Sequence, residues 1–211
     1  MKRQLKLTRL TKFGLLALCG WLCSCTSEIS VPTAPAPGCE HVPLDVILPR
    51  IGSDIPENPY RRAHYRNDQQ LIPGQQVPEF TLADLAGHKV SLATVLDAND
   101  TVLIDFWKLS CGPCIASFPK LAELRAQYQQ QGFEIVTISM DPIRDDWVNG
   151  SAEHELPWVN LGELESFNGE VAVSYGVRFI PKNYLVDTNG CLLHKDLTAE
   201  LLATVLAERY N

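Results

Sequence analysis

The sequence predicts a mixed α/β fold, in which helices cover both faces of a central β-sheet. Two continuous apolar runs, residues 102–107 and 133–139, are typical of strands buried on both faces. Between them, residues 115–131 repeat apolar side chains at helical spacing. A hairpin turn signal at 188–190 and an amphipathic segment at 197–209 follow near the C-terminus. This order of strand, helix, strand, hairpin and helix defines the predicted fold class.

Shorter elements complete the predicted sheet and its helical layers. An alternating pattern on both sides of a glycine turn predicts a β-hairpin before the first buried strand. Two helices are expected between the second buried strand and the C-terminal hairpin. These elements are the hairpin strands 79–82 and 89–92, the helices 145–154 and 167–175, and the terminal strands 183–187 and 191–194.

The first 24 residues have the pattern of a bacterial export leader. Five basic residues precede an apolar stretch, 13–22, which is too short to span a bilayer. The tetrapeptide at 22–25, Leu-Cys-Ser-Cys, resembles a lipobox, which implies cleavage before Cys25 and lipidation of its sulfur. The alternatives are an ordinary signal peptide and an uncleaved anchor. One acyl chain anchors only marginally, and the lipoprotein resemblance implies several.

Loss of the leader would make the chain strongly acidic. The full chain has 18 basic and 25 acidic residues, a formal charge of −7. Five of the basic residues and no acid lie in the leader, so 13 basic residues and a charge of −12 would remain. An acidic surface disfavours nucleic acid and anionic lipid as partners. We therefore expect the lipid to link the protein to the membrane of the cell envelope, facing the periplasm or the cell exterior.

Three further parts are predicted after the leader. Residues 25–38 carry three prolines among small residues, the composition of a semi-rigid tether. Residues 39–76 contain more prolines and a basic cluster, which predict a loop-rich extension packed on the domain, with a partner-docking element as the alternative. Residues 77–211 form the predicted domain and are long enough for a sizeable core.

Cys111-Gly112-Pro113-Cys114 is the motif that points to chemistry. Two cysteines at this spacing, on the first turn of a helix after a strand, are placed for thiol–disulfide exchange. The unpaired N–H groups and partial positive charge of the helix N-terminus favour a thiolate on Cys111. Gly112 is expected to permit a tight turn, and Pro113 suits a first-turn position.

A zinc knuckle is the alternative explanation of the two cysteines. It needs a second close pair of ligands, but the chain has no second Cys-x-x-Cys and its five histidines are scattered. No metal, haem or flavin site is predicted, and no cofactor is expected.

Residues in register with this motif resemble the thioredoxin superfamily, and most closely its TlpA/ResA-like branch of membrane-tethered thiol–disulfide oxidoreductases. The matching positions are Asp105, six before the first cysteine; Trp107, in Asp-Phe-Trp; Pro119, where the family's active-site helix kinks; and the segment 175–181, which is similar to Gly-Val-x-x-x-Pro. The resemblance runs from about residue 78 to 209. It implies a thioredoxin-like fold, a central mixed sheet flanked by helices, with an N-terminal β-hairpin extension.

The resemblance implies a role for each of these residues. Cys111, expected to be exposed, would attack a target disulfide, and the more buried Cys114 would resolve the mixed disulfide. Asp105 would accept the proton of Cys114, because burial in an apolar strand should raise its pKa; a satisfied strand-end carboxylate is the alternative. Pro181 would follow a cis peptide bond and leave the Ile180 backbone free to pair with the client. Client contacts are expected from Trp107, Gly112, Pro113 and Ile180.

The sequence departs from the family directly before Cys111. Ser110 stands where an aromatic residue is usual. The Ser110 hydroxyl and the charge of Lys108 would both favour a reduced thiolate. The departure leaves the redox poise and the choice of partner open.

Cys39 and Cys191 are two further cysteines of the chain after the leader. In an oxidising compartment they could pair and pin the extension to the terminal hairpin. The sequence does not supply the distance that a disulfide requires. The alternative is a buried apolar Cys191 and a free Cys39 thiol near the tether.

The sequence therefore predicts a lipid-anchored thiol–disulfide oxidoreductase outside the cytoplasm that reduces protein disulfides. Its Gly-Pro dipeptide and Ile180 resemble reducing members of the family. The resemblance implies a membrane-embedded thiol reductant as electron donor and oxidised protein cysteines as targets, for example those of apocytochrome c. The alternatives are an oxidase or isomerase of secreted proteins and a non-catalytic binding module. A peroxidase is disfavoured because Lys108 stands where peroxiredoxins carry Thr.

Overall fold

The computed structural model describes Cys39 and residues 59–211. The predicted leader, the lipidation site at Cys25, the tether at 25–38 and most of the first half of the extension lie outside these residues. Within the part that is described, no helix is both long enough and apolar enough to cross a membrane.

Seven strands form one mixed sheet in the order β2-β1-β5-β4-β3-β6-β7. The strands are β1 (Thr81–Asp84), β2 (Lys89–Ser91), β3 (Thr101–Trp107), β4 (Phe133–Ser139), β5 (Val159–Gly162), β6 (Lys182–Asp187) and β7 (Leu192–Lys195). The β3–β4 and β4–β5 pairs are parallel, and the other neighbours are antiparallel. The mixed sheet and the β1–β2 hairpin were both predicted and are confirmed.

Helices cover both faces of this sheet. They are α1 (Pro59–Gln70), α2 (Leu92–Leu96), α3 (Gly112–Tyr128), α4 (Arg144–Glu153), α5 (Glu170–Ser174) and α6 (Ala199–Tyr210), with short 3-10 helices at Gln129–Gln131 and Ser166–Asn168. Buried side chains of α2 and α5 join the core on one face. Those of α3, α4 and α6 join the core on the other face.

The two central strands show why the predicted apolar runs are strands. All seven residues of β3 are buried, and β3 pairs with β4 from Thr101 opposite Phe133 to Trp107 opposite Ser139. Because side chains alternate along a strand, Phe106 enters one core and Trp107 the other. A continuous apolar run is what two covered faces require.

Helix α1 corrects the loop-rich prediction for the part of the extension that it spans, Pro59–Gln70. Pro59 occupies its first position, where a missing N–H costs nothing. The helix has no apolar stripe in its sequence, so helical periodicity gave no signal there. Polar contacts hold it in place instead, including a hydrogen bond of 2.7 Å from the Asn67 side chain to the Val173 carbonyl.

Strand β5 was not predicted, because its Val-Asn-Leu-Gly sequence has weak strand propensity. A buried polar network stabilises it. The Asn160 amide oxygen accepts hydrogen bonds from Trp147 Nε1 at 3.0 Å and Thr137 Oγ1 at 3.2 Å. Its amide nitrogen donates to Ser151 Oγ at 2.6 Å. Tertiary pairing of this kind is invisible in a local sequence pattern.

A disulfide joins Cys39 to Cys191, the pairing that the sequence left open. Cys191 lies in the β6–β7 turn region, where its carbonyl accepts a hydrogen bond from the Asp187 amide. Asp187 pairs with Thr101 at the start of β3, whereas Lys182 pairs with Phe106 near its end. The Cys39–Cys191 disulfide is therefore at the end of the sheet opposite to the Cys-Gly-Pro-Cys motif, which follows the end of β3.

Candidate active site

The loop from β3 to α3 places the two motif cysteines at a helix N-terminus. Cys111 is the N-cap of α3, and its sulfur accepts a hydrogen bond of 3.3 Å from the Cys114 amide. The Leu109 amide donates a hydrogen bond of 3.0 Å to the Asp141 carboxylate, which restrains the loop before α3. Cys111 and Cys114 form a disulfide with a Cα–Cα distance of 5.3 Å.

The two sulfurs differ in their access to solvent. Cys111 is 8% exposed and Cys114 is fully buried. Cys111 is more accessible than Cys114, as predicted, but it is itself buried rather than exposed. A client sulfur can therefore reach Cys111 first, while Cys114 belongs to the same buried core as Phe118.

A cavity of about 390 Å³ adjoins the motif. The Ile180–Pro181 peptide is cis, as predicted. Pro181 lines the cavity together with Pro113 of α3 and the half-exposed Phe179. Ile180 is partly buried against both cores. The cis-proline segment and the first turn of α3 thus form two walls of one cleft.

Asp105 lies on the wall of the same cavity. Burial raises the pKa of its carboxyl to about 7, and a side-chain hydrogen bond from Asn183 acts in the opposite direction. Asn183 is the partner of Asp105 on β6. Among the described residues, Asp105 Oδ2 has no hydrogen-bond partner. A carboxyl group with this pKa can give or take a proton near neutral pH.

The structure does not favour the predicted client contact of Trp107 or the predicted need for glycine at position 112. Trp107 is completely buried, because it points into the layer of α3 and packs edge-on against Phe118 at 5.3 Å between ring centroids. It therefore supports the helix rather than touching a client. Gly112 and Pro113 are exposed, as contact residues must be. However, a Cβ at Gly112 would meet no atom within 4 Å and its φ is not positive, so the turn does not require glycine.

Sequence reasoning missed several residues around the cleft. Phe179 is 54% exposed beside Pro181, and its position inside the recognised segment was the available signal. Asn183 and Asp196 also line the cavity but gave no signal. The pairing of β6 with β3 places Asn183 beside Asp105, and the Asp196 amide donates a hydrogen bond to the Asn183 carbonyl. In the part of the chain that the structure describes, no group of three or more His, Cys, Asp or Glu residues is placed to hold a metal ion.

A dithiol motif at a helix N-terminus, beside a cis proline on a mixed sheet of this order, defines a thioredoxin-like thiol–disulfide oxidoreductase. The comparison with protein families agrees with this class. The chain belongs to the AhpC/TSA family, whose model matches residues 73–195.

Relatives and solved structures carry the same activity in their names. The thiol-disulfide oxidoreductase ResA of Bacillus thuringiensis subsp. konkukian is 25% identical over 137 residues, which cover 64% of this chain and 75% of that protein. The thioredoxin domain of a thiol-disulfide oxidoreductase from Bacteroides vulgatus superposes with a TM-score of 0.62 and 28% identity, covering 67% of this chain and 99% of that one. A Chlorobium tepidum protein described as a thiol:disulfide interchange protein DsbE gives a TM-score of 0.60 with 27% identity, over 67% of this chain and 99% of that one.

Proposed function

We propose that this oxidoreductase reduces disulfides of client proteins outside the cytoplasm through the Cys111–Cys114 couple. The observation that carries the proposal is the shared cleft, in which the cis Pro181 and Pro113, two residues after Cys111, line one cavity. An extended client can pair with the Ile180 backbone there while its own sulfur meets Cys111.

The reaction moves two electrons in two displacements. The Cys111 thiolate attacks one sulfur of the client disulfide, forms a mixed disulfide and releases the other client sulfur as a thiolate. The Cys114 thiolate then attacks the Cys111 sulfur, releases the second client thiolate and leaves the Cys111–Cys114 disulfide. Asp105, with its pKa raised to about 7 by burial, takes the proton that Cys114 must lose.

A donor of electrons must then restore the dithiol. We propose a membrane-embedded thiol reductant as the donor, a lipid on Cys25 as the anchor and a position in the cell envelope facing the periplasm or the exterior. The leader pattern and the lipobox at 22–25 support this location. The Cys39–Cys191 disulfide also supports it, because such bonds persist in oxidising compartments. Oxidised cysteines of proteins such as apocytochrome c are the proposed clients.

The reduction potential of the Cys111–Cys114 couple tests the direction of electron flow. The purified protein is equilibrated in dithiothreitol or glutathione redox buffers and alkylated. Mass spectrometry of the peptide that contains both motif cysteines separates this couple from Cys39–Cys191. A potential near or below that of thioredoxin, about −270 mV, is expected. A value near about −120 mV, that of a strong oxidant, would instead indicate an oxidase of secreted proteins.

A trapping experiment tests the route through a mixed disulfide. The Cys114→Ser variant cannot resolve the intermediate and is expected to accumulate a covalent complex with a protein disulfide. The Cys111→Ser variant is the matched control and should form none. Equal trapping by both variants would contradict the assignment of Cys111 as nucleophile.

A further inference from the structure

Helix α1 precedes the segment matched by the family model, yet its polar residues bind the segment that carries Pro181. The centre of these contacts is the buried side chain of Asp68. Asp68 Oδ1 accepts hydrogen bonds from Lys182 Nζ at 2.9 Å and Lys195 Nζ at 3.2 Å, and Oδ2 accepts from Arg178 at 3.2 Å. Lys195 Nζ also donates to the Asp68 carbonyl at 2.7 Å. One carboxylate thus receives three cationic side chains.

Two of these cations flank the cis peptide bond. Arg178 lies three residues before Pro181, and Lys182 follows it directly. Lys182 is 2% exposed, and its ammonium is shared between Asp68 and Asp196, both at 2.9 Å. A buried ammonium that loses a partner is strongly destabilised, so these carboxylates fix where Lys182 lies. Because Lys182 is bonded to Pro181, Asp68 also restrains the cis-proline segment.

A second set of contacts runs from α1 to the exposed aromatic ring beside the cleft. The Arg178 guanidinium lies 5.2 Å from the centre of the Tyr65 ring and 6.0 Å from that of Phe179. Lys182 Nζ lies 5.7 Å from the Phe179 ring. Cations over aromatic faces are attracted to the rings. Tyr65 of α1 therefore acts through Arg178 on the orientation of Phe179, which lines the cavity.

The backbone of α1 is also fitted closely to the segment before Arg178. Gly176 has φ +67°, and a Cβ there would lie 2.2 Å from the Asp68 amide nitrogen. The Asn67 side chain donates to the Val173 carbonyl at 2.7 Å. The helix thus contacts the segment 173–182 near both ends, and no side chain larger than hydrogen separates them at Gly176.

We propose that α1 is a strut for the client-binding wall of the cleft and that Asp68 is a positioning residue which holds Phe179, Ile180 and Pro181 ready for a polypeptide client. The inference rests on the client contacts put forward under Proposed function. A protein client needs the backbone of this wall, whereas a small aromatic disulfide needs only access to the Cys111 sulfur. Loss of Asp68 should therefore slow exchange with proteins selectively, because misplacement of a binding wall is costly for a reaction that depends on its geometry.

The experiment compares two kinds of disulfide in the full protein. The variant Asp68→Asn removes the charge and keeps the shape of the side chain. The matched control is Glu134→Gln, which breaks a partly buried ion pair with Arg125 (2.5 Å) away from the cleft. In the reducing direction, reduced enzyme acts on insulin as the protein disulfide or on a small aromatic disulfide. In the oxidising direction, oxidised enzyme acts on reduced, unfolded ribonuclease as the protein or on a small aromatic thiol.

We expect Asp68→Asn to lower kcat/KM for the protein substrate about tenfold and to leave the small-molecule rate within about twofold. Glu134→Gln should leave both rates within about twofold. A fall of equal size with both kinds of substrate, or no fall with either, would overturn the inference. A purely structural role for Asp68 would lower the midpoint of urea unfolding without separating the two substrates.

Arg178→Ala keeps the test decisive if Asp68→Asn does not fold. The Arg178 side chain is 37% exposed, so its removal leaves no buried cation unpaired. It should show the same selective loss with protein substrates, because Phe179 loses its stacking partner. If the wild-type protein only oxidises thiols, the reductant direction proposed above is wrong. The inference about Asp68 is then tested by the rates with reduced ribonuclease and the small aromatic thiol.

Discussion

Asp105 is a residue through which we expect pH to act on both the stability and the chemistry of this protein. Its pKa is about 7 in the folded chain, because burial disfavours the charged form, against about 3.8 for the ordinary carboxyl. Between these two pH values the folded protein binds more protons than the unfolded chain. The contribution of Asp105 to the free energy of unfolding therefore falls as pH rises from about 4 through 7.

The variant Asp105→Asn should remove this pH dependence. At pH 8 we expect it to be more stable than the wild type by up to about 4 kcal/mol, since each pKa unit corresponds to about 1.4 kcal/mol. At pH 4, close to the unfolded pKa, the advantage should be under about 1 kcal/mol, and it should disappear at lower pH, where the carboxyl is neutral in both states. Urea unfolding at pH 4, 6 and 8 measures the difference, and a constant offset at all three values would contradict the assignment.

The same variant should lose the proton acceptor for Cys114. Single-turnover reduction of a saturating protein disulfide should slow at least about tenfold at pH 7. In a Cys114→Ser background, which stops after the first attack, Asp105→Asn should leave the rate of mixed-disulfide formation unchanged. An unchanged resolution rate near neutral pH would sink the proposed role of the carboxyl.

Residues joined to a local motif were predictable, and residues joined only by tertiary contact were not. Cys111, Cys114 and Asp105 lie within ten positions of one another, at spacings set by one strand and one helix. Asp68 and Lys182 are 114 positions apart and meet because α1 packs near the start of β6. Trp107 was predicted to contact a client but is completely buried, because a residue's place in a motif does not reveal which face of the strand carries it.

At the scale of elements, the fit of α1 against the segment before the cis proline depends on Gly176. Its φ of +67° is a left-handed conformation, which costs a residue with a Cβ roughly 1 kcal/mol. The added Cβ would also lie 2.2 Å from the Asp68 amide nitrogen and 2.7 Å from the His64 carbonyl oxygen. Backbone atoms cannot rotate away, so α1 must shift.

Gly176→Ala should therefore destabilise the protein by about 2–4 kcal/mol, the sum of conformational strain and overpacking. Gly87→Ala is the matched control, because Gly87 has φ +89° and no atom within 4 Å of the added Cβ. That control should cost only about 1 kcal/mol. Urea unfolding of the two variants separates strain from collision, and equal losses would mean that α1 is not closely fitted to the domain.

Helices and strands were predicted correctly where their own sequences carry a clear pattern. The apolar runs of β3 and β4 and the spacing in α3 were sufficient, because burial on two faces or along one stripe leaves a local pattern. Helix α1 and strand β5 left no such pattern. Both depend on buried polar contacts with distant residues, such as those of Asp68 and Asn160.

At the scale of the whole molecule, two disulfides stand at opposite ends of the sheet. Cys111–Cys114 follows the end of β3, and Cys39–Cys191 lies beside its start. The first closes a loop of only three residues, whereas the second joins positions 152 apart. Cross-linking distant positions restricts the unfolded chain far more than cross-linking near neighbours. We therefore expect the Cys111–Cys114 bond to serve exchange and the Cys39–Cys191 bond to serve stability.

Replacing both Cys39 and Cys191 by Ser should lower the free energy of unfolding by about 2–5 kcal/mol, as expected for loss of a native disulfide that closes a long loop. Urea unfolding under non-reducing conditions measures this loss. The double variant of Cys111 and Cys114 to Ser is the control and should change stability much less.

Because the two sites are at opposite ends of the sheet, the reduction potential of the Cys111–Cys114 couple should not change in the Cys39 and Cys191 variant. Unaltered stability, together with two additional free thiols in the denatured, unreduced wild type, would show that Cys39 and Cys191 do not pair in the native protein.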